Sequence, residues 1–184
     1  MNNDFLNVAK LSRLGVRPQW FGLGFIQLKL SENQRLHFWH DRLKPNSGHE
    51  EEAHNHRYDF HSTVLKGELL DELWQFHSDP HGEWNMWRVS CQPGDSGDAA
   101  IIGRVGITSI TPRRIATNQT YFMPETCFHR TFPQGSVVTC LNRGPVIADR
   151  ALVIRPVGKE HICPFRVVMS EDELWSIIEE IIDE

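Results

Sequence analysis

The sequence has few cysteines and no closely spaced pair of them. Its 184 residues include four cysteines, which stand far apart and form no Cys-x-x-Cys motif. A chain of this length can bury about 70% of the surface that its unfolded form exposes, so it needs no disulfide to fold. We therefore expect reduced thiols in a cytoplasmic protein. The cysteines are Cys91, Cys127, Cys140 and Cys163.

Long basic runs and long apolar runs are absent as well. The only basic doublet is Arg113-Arg114 and the formal net charge is -5, which argues against nucleic acid as a partner. No apolar run approaches the ~20 residues that a membrane helix needs. The N-terminal residues do not form a basic segment that leads into an apolar one. We therefore expect no signal peptide and no membrane partner.

The sequence does contain a succession of short alternating segments separated by turn residues. About ten such segments, with turn signals roughly every 8 to 12 residues, predict an all-β sandwich or barrel. Helical patterns occur only at the two ends, and Ser170 and Glu173 form a capping box before an amphipathic helix. We expect an N-terminal helical or extended segment (1–20), a barrel domain (21–168) and a C-terminal helix (169–184) packed on the barrel or on a partner subunit. The predicted strands are 21–30, 35–43, the histidine segment as far as 65, 68–77, 83–91, 101–110, 113–117, 120–123, 137–141 and 151–157.

The densest group of metal-ligating side chains lies in the histidine segment. His54 and His56 stand two apart in a predicted strand, and residues two apart share one strand face. A pair of neutral imidazoles on one face can bind a transition-metal ion. Such a pair needs a third ligand from elsewhere, and His129, which follows Pro124, is the candidate. A small β-barrel with space inside it can enclose a site of this kind.

Both histidine segments resemble the conserved segments of the cupin family. The first is Gly48, five residues, His54-x-His56, four residues, His61, five residues and Gly67. The second is Tyr121-Phe122-Met123-Pro124 leading to His129. The resemblance implies an RmlC-like, cupin-type double-stranded β-helix (jelly-roll) barrel with one divalent transition metal: iron(II) first, with zinc, manganese or nickel as alternatives. Most cupins have a Glu ligand where this chain has His61. The site is therefore either three-His, with His61 as a hydrogen-bond partner, or four-His, with His61 as a ligand.

Within the cupins, a three-His site resembles the thiol dioxygenase branch, typified by cysteine dioxygenase. The matching residues are His54-Asn55-His56, Leu65-Lys66-Gly67-Glu68-Leu69 and His129-Arg130. The resemblance implies iron(II) with open positions, where substrate and O2 bind side by side and the metal charge stabilises the anion that forms. That branch holds its substrate carboxylate with an Arg on the strand before the histidines. The comparable strand here, 24–29, has no Arg, which argues against free cysteine as the substrate.

Several other polar residues are candidates with weaker support. The arginines that could bind an anionic small-molecule substrate through two parallel hydrogen bonds are Arg57, Arg130, Arg143 and Arg155. Glu52 and Asp59 could orient imidazoles by accepting their second N–H, but we expect them to be solvated surface charges. His37 and His40 cannot both face inward on a regular strand. A zinc site that combines the Cys127 thiolate with His129 is a less favoured alternative. No catalytic residue is assigned.

These patterns predict a metal-binding cupin, first an iron-dependent, dioxygenase-like enzyme. The alternatives are a non-redox isomerase, epimerase or hydrolase that uses zinc or manganese, and a non-catalytic module that binds a small ligand. The C-terminal helix and several tryptophans offer more apolar surface than one barrel needs. We therefore expect a homodimer, unless the helix covers its own barrel.

Overall fold

The computed structural model of this protein describes residues 6–45, 52–90, 99–160 and 169–184. It shows an all-β fold with a helix near each end, which confirms the predicted class. The helices are α1 (Val8–Arg13) and α2 (Glu171–Asp183). The strands within these residues are β1 (Pro18–Phe21), β2 (Phe25–Lys29), β3 (Gln34–Trp39), β4 (Ala53–His54), β5 (Phe60–Ser78), β6 (Trp84–Val89), β7 (Ala99–Ala116), β8 (Thr120–Met123), β9 (Phe128–Arg143) and β10 (Ala151–Pro156). The loop predicted at 93–98, Gly48, Cys91 and Cys163 lie outside the described residues.

Six of the strands close into a ring by antiparallel pairing. Around the ring the neighbours are β9, β4, β10, β6, β7 and β5, and β5 pairs again with β9. β3, β2 and β1 extend the sheet from the second half of β9, and β8 pairs with the start of β5. Closure of this kind removes strand edges and encloses an interior. The fold is therefore barrel-like, and its interior is where the predicted site should lie.

Strands β2 and β3 separate the apolar core from the interior cavity. One face of these strands, which includes Ile26 and Phe38, is completely buried in a core that it shares with α2. Successive strand residues point to opposite faces, so the alternate residues face the cavity instead. These are Phe25, Gln27, Lys29, Arg35, His37 and Trp39. The predicted alternation of β2 is confirmed.

Three strands are longer than the sequence pattern predicts. β5 runs through Gly67 and β7 through Pro112, where we predicted breaks. β9 begins at Phe128, whereas the predicted strand was 137–141. The register of β5 against β9 shifts on both sides of Lys66. Such bulges bend a strand without ending it. The predicted strand boundaries at these points were therefore wrong.

The bend in β5 requires a glycine at position 67. Gly67 has φ +78°, and a Cβ at this position would lie 2.5 Å from the backbone oxygen of Ser136 on β9. We expect Gly67→Ala to lower the free energy of unfolding by at least about 3 kcal/mol, because backbone strain and a steric clash add. Gly135→Ala is the matched control, since Gly135 has φ +73° and no atom within 4 Å. Chemical denaturation measures both losses, and equal losses would contradict the close approach.

Helix α2 covers one side of the barrel of its own chain. The Ser170 hydroxyl accepts a hydrogen bond from the Glu173 amide at 3.3 Å, as predicted. Lys66 Nζ of β5 donates to the Ile181 carbonyl at 2.6 Å, near the end of the helix. The buried face of α2 packs against β1, β2 and β3 and consists of Leu174, Ile177, Ile178 and Ile181. The apolar face of α2 is thus used within the chain and gives no reason to expect a dimer. Homodimerisation stays a prediction.

The sequence analysis also led us to expect reduced thiols and no membrane helix. Cys127 and Cys140 are free thiols. Burial raises the pKa of both. Neither described helix has the length and hydropathy that crossing a membrane requires.

Candidate metal centre

His54 and His129 face each other across a pair of strands. The two-residue strand β4 lies between β9 and β10, and His54 is paired with His129 on one side and with Val153 on the other. The two imidazole centroids are 5.0 Å apart. His129 is only 4% exposed. The barrel closure itself therefore brings these two histidines together, although 75 positions separate them in the chain.

His56 reaches the same point from beyond the end of β4. Asn55 continues the pairing with β10, because its amide donates to the Leu152 carbonyl at 3.0 Å and its Oδ1 accepts from the Leu152 amide at 2.6 Å. His56 Nε2 consequently lies 2.9 Å from His129 Nε2. Strand β4 ends at His54, so the prediction that one strand carries both histidines was wrong. The predicted convergence of His54 and His56 is confirmed.

The three histidines form a donor set that fits a transition-metal ion. One ring nitrogen of each lies within 4.8 Å of the others. Two nitrogens bound at right angles to one ion, each at about 2.1 Å, would be about 3 Å apart. The 2.9 Å between His56 and His129 matches that separation. Burial, and next the neighbouring His54 and His129, hold the pKa of His56 well below its ordinary value, so its ring is neutral. Neutral imidazole is the form that binds metals. That these three histidines bind a metal ion stays a prediction.

The carboxylate of Asp71 orients His129. Asp71 is 0% exposed, and its Oδ1 lies 2.7 Å from His129 Nδ1. The register of β5 against β9 places Asp71 opposite Thr131, two residues from His129, and Thr131 Oγ1 donates to the same carboxylate oxygen at 3.0 Å. When Nδ1–H is donated to a carboxylate, Nε2 keeps its lone pair for a metal.

Arg113 balances the charge of Asp71. Its Nε donates to Asp71 Oδ2 at 2.8 Å. Burial raises the pKa of Asp71, but the contacts with His129 and Arg113 outweigh burial, and the net pKa lies below the ordinary value. Our sequence analysis missed Asp71. The sequence did contain a sign of this: Asp71 stands two residues from Leu69 and from Leu73, so this acidic residue shares a strand face with two apolar ones.

The structure places His61 away from the other three histidines. Phe60 is buried beside the site, with its ring 4.7 Å from that of His56. His61 is the next residue of the strand, so it points to the opposite face. There it is exposed, and its ring lies 4.8 Å from that of Phe122 on β8. This geometry corresponds to the three-His alternative, without a hydrogen bond from His61 to a ligand among the described residues.

The predicted substrate-binding arginines are divided between the cavity and its surroundings. Arg57 lines the cavity. Arg130 also reaches it, but its Nη2 forms an ion pair with Glu72 at 2.9 Å. Arg143 lies outside the lining, where its Nε donates to the Glu32 carbonyl at 2.6 Å. Substrate binding by these three arginines stays a prediction.

The arginine that best fits an anion-binding role is Arg35, which the sequence analysis did not single out. It lies on β3 beside Lys29 of β2 and faces the same cavity as the histidines. Its Nη1 donates to Gln27 Oε1 at 3.2 Å and to the Tyr58 hydroxyl at 3.0 Å. Strand 24–29, where the resemblance would place an arginine, has none, and Arg35 lies on the neighbouring strand β3. The sequence did contain a sign of this: Arg35 stands two positions from His37, so both lie on the strand face opposite to the core residues.

Two other expectations need correction, and the structure also bears on the less favoured zinc alternative. Glu52 is not solvated but 5% exposed, with its Oε2 3.9 Å from Nε of the buried Arg155. Asp59 is half-buried, and its Oδ1 accepts from the Glu125 amide at 2.7 Å. Cys127 does not belong to the cluster of possible metal ligands among the described residues, because it precedes β9 in a turn.

Comparison with known proteins adds little to this geometry. No protein-family model matches the sequence, and no curated protein matches it. One similar solved structure is hydroquinone 1,2-dioxygenase from Sphingomonas sp. TTNP3 with 4-hydroxybenzoate bound, at 12% identity and TM-score 0.34, with 63% of each chain covered. Another is hydroxypropylphosphonic acid epoxidase from S. wedmorenis, at 12% identity and TM-score 0.39, with 68% of this chain and 55% of that chain covered. The aligned part is thus less than two thirds of either protein, and such distant likeness carries no conclusion about function.

Proposed function

We propose that this chain is a cupin-type, iron(II)-dependent oxygenase that acts on a small organic anion. The proposal is supported by the convergence of His54, His56 and His129 in a cavity of about 510 Å³ that also contains the guanidinium of Arg35. Among the described residues, no carboxylate belongs to this histidine group. A metal held by three neutral ligands would keep its full positive charge, which favours an anionic substrate beside it.

Each group of residues has a separate role in the proposed reaction. His54, His56 and His129 would hold iron(II), which supplies the binding and activation of O2 next to the substrate. Asp71 holds His129 with Nε2 available to the metal. Arg35 binds the anionic group of the substrate, and the Tyr58 hydroxyl, which accepts from Arg35 Nη1, keeps the guanidinium in place.

Metal content and open coordination positions test this proposal together. Protein expressed in iron-supplemented medium should contain one iron per chain by elemental analysis. Nitric oxide added without oxygen should then give the EPR signal of a high-spin iron–nitrosyl, because NO binds iron only at a free position. Stoichiometric zinc in place of iron, or bound iron that gives no nitrosyl signal, would contradict the oxygenase. Those outcomes would favour the Lewis-acid enzyme or the binding module.

A further inference from the structure

The cavity face of β2 and β3 changes in character along the strands. Three consecutive cross-strand pairs face the cavity: Phe25 with Trp39, Gln27 with His37, and Lys29 with Arg35. The first pair is aromatic, the second is neutral and polar, and the third is cationic. Successive pairs on one face are about 7 Å apart, so the aromatic and cationic ends are separated by about 13 Å along the backbone.

At the cationic end of this face, Arg35 has no anionic partner among the described residues. Arg35 Nε is buried without a hydrogen-bond partner, and the acceptors of its Nη1, Gln27 and Tyr58, are both uncharged. Within the described ranges, no carboxylate forms an ion pair with Arg35. A half-buried guanidinium without a counter-charge favours binding of a carboxylate, which can accept two parallel hydrogen bonds.

The neighbouring cations strengthen this preference. Burial, and then the charges of Arg35 and Arg143, lower the pKa of Lys29. The Arg143 guanidinium lies 5.3 Å from the Tyr58 ring centroid and the Arg35 guanidinium lies 5.5 Å from it. The guanidinium groups of Arg35 and Arg143 therefore flank one tyrosine, and both charges act on Lys29. A bound anion would reduce the repulsion among these three cations.

The other end of the face presents aromatic rings. Phe25 stacks on Phe21 with centroids 4.8 Å apart, and its centroid lies 5.2 Å from that of Trp39. Tyr121, which belongs to the same apolar cluster as Phe25 and Trp39, also lines the cavity. Aromatic rings pair favourably at such distances, with an offset or tilted geometry. A ligand ring would find several such partners here.

We propose that this cavity binds an aromatic carboxylate, with its carboxylate on Arg35 and its ring against Phe25 and Trp39. The inference rests on the proposed function only in taking this cavity as the substrate site. Side chains extend from both ends of the 13 Å span, so the ligand must be shorter than the span and have its ring separated from the carboxylate. An arylalkanoate such as 3-phenylpropionate meets this requirement.

Calorimetric titration with three closely matched compounds tests the inference. The purified protein, before and after removal of metal by a chelator, is titrated with 3-phenylpropionate, 3-phenylpropionamide and 3-cyclohexylpropionate. The neutral amide should bind at least about 10-fold more weakly, because it loses the charge-assisted hydrogen bonds. The saturated ring should bind at least about 3-fold more weakly, because it loses the aromatic contacts. Equal affinities, or no binding of any of the three, would overturn the inference.

Two variants assign the discrimination to the named residues. Arg35→Gln should remove the difference between carboxylate and amide, and Phe25→Leu should reduce the difference between the two rings. Arg114→Gln is the control and should change neither, because Arg114 is 73% exposed and pairs with Glu68 on the outer surface. The comparison of ligands in the unmodified protein stands even if a variant does not fold.

The two proposals can fail independently. Ligand binding is measured by calorimetry both with the metal and after its removal, whereas the oxygenase is tested by iron content and the nitrosyl signal. A zinc protein that discriminates among the three ligands would contradict the oxygenase and support the aromatic carboxylate. An iron–nitrosyl protein that does not discriminate would contradict only the aromatic carboxylate.

Discussion

Replacement of His129 by alanine is expected to reduce metal affinity by at least about 100-fold, since loss of a residue that merely supports a ligand already costs 10- to 100-fold. His129 stands at the centre of the group, with Nε2 2.9 Å from His56 Nε2 and Nδ1 2.7 Å from Asp71. The purified variant should contain less than a tenth of the metal of the parent protein. Elemental analysis after gel filtration measures this directly.

His61→Ala is the matched control for that experiment. It removes the same side chain from a position seven residues after His54, yet His61 is exposed and lies against Phe122 on the outer face. We expect it to retain the metal in full. Loss of metal from His61→Ala would revive the four-His alternative. Full metal in a folded His129→Ala, as judged by circular dichroism, would contradict the site itself.

Asp71→Asn is expected to lower metal affinity by about 10- to 100-fold while leaving the ligands in place. The asparagine can still accept a hydrogen bond from His129, but it no longer carries the charge that increases the basicity of the imidazole. It also leaves Arg113 without its buried counter-ion, and breaking such a pair costs about 3 to 5 kcal/mol of folding stability. Competition with a chromophoric chelator measures the affinity, and chemical denaturation of the metal-free protein measures the stability.

Glu72→Gln is the control that distinguishes the effects of losing Asp71 from the effects of removing any negative charge from β5. Glu72 is the next residue of β5, points to the other face and pairs with Arg130 at 2.9 Å. We expect this variant to keep the metal affinity of the parent and to lose at most about 1 kcal/mol of stability, because its ion pair is partly exposed. A loss of stability without any change in metal affinity in Asp71→Asn would show that Asp71 is structural only. In that case the electronic spectrum of the cobalt-substituted protein should also be unchanged.

Local periodicity was enough to predict much of the fold. The alternation in β2, the helical spacing in α2 and the bond from the Glu173 amide to Ser170 follow from residues close together in the chain. The predicted breaks at Gly67 and Pro112 were wrong because they also rested on local residues alone. A glycine or proline ends an isolated strand, but pairing with a neighbouring strand can carry the chain through a bulge.

By itself, the sequence determined the all-β class, the amphipathic C-terminal helix and the His54-x-His56 pair, because all three depend on the spacing of neighbouring residues. Only the tertiary structure decided which distant side chains meet. It paired His129 with Asp71 across 58 positions and turned Arg35 into the cavity. It also placed His61 outside and packed α2 on its own barrel. These contacts depend on the register between strands far apart in the chain, and a shift of one residue would turn every side chain to the other face.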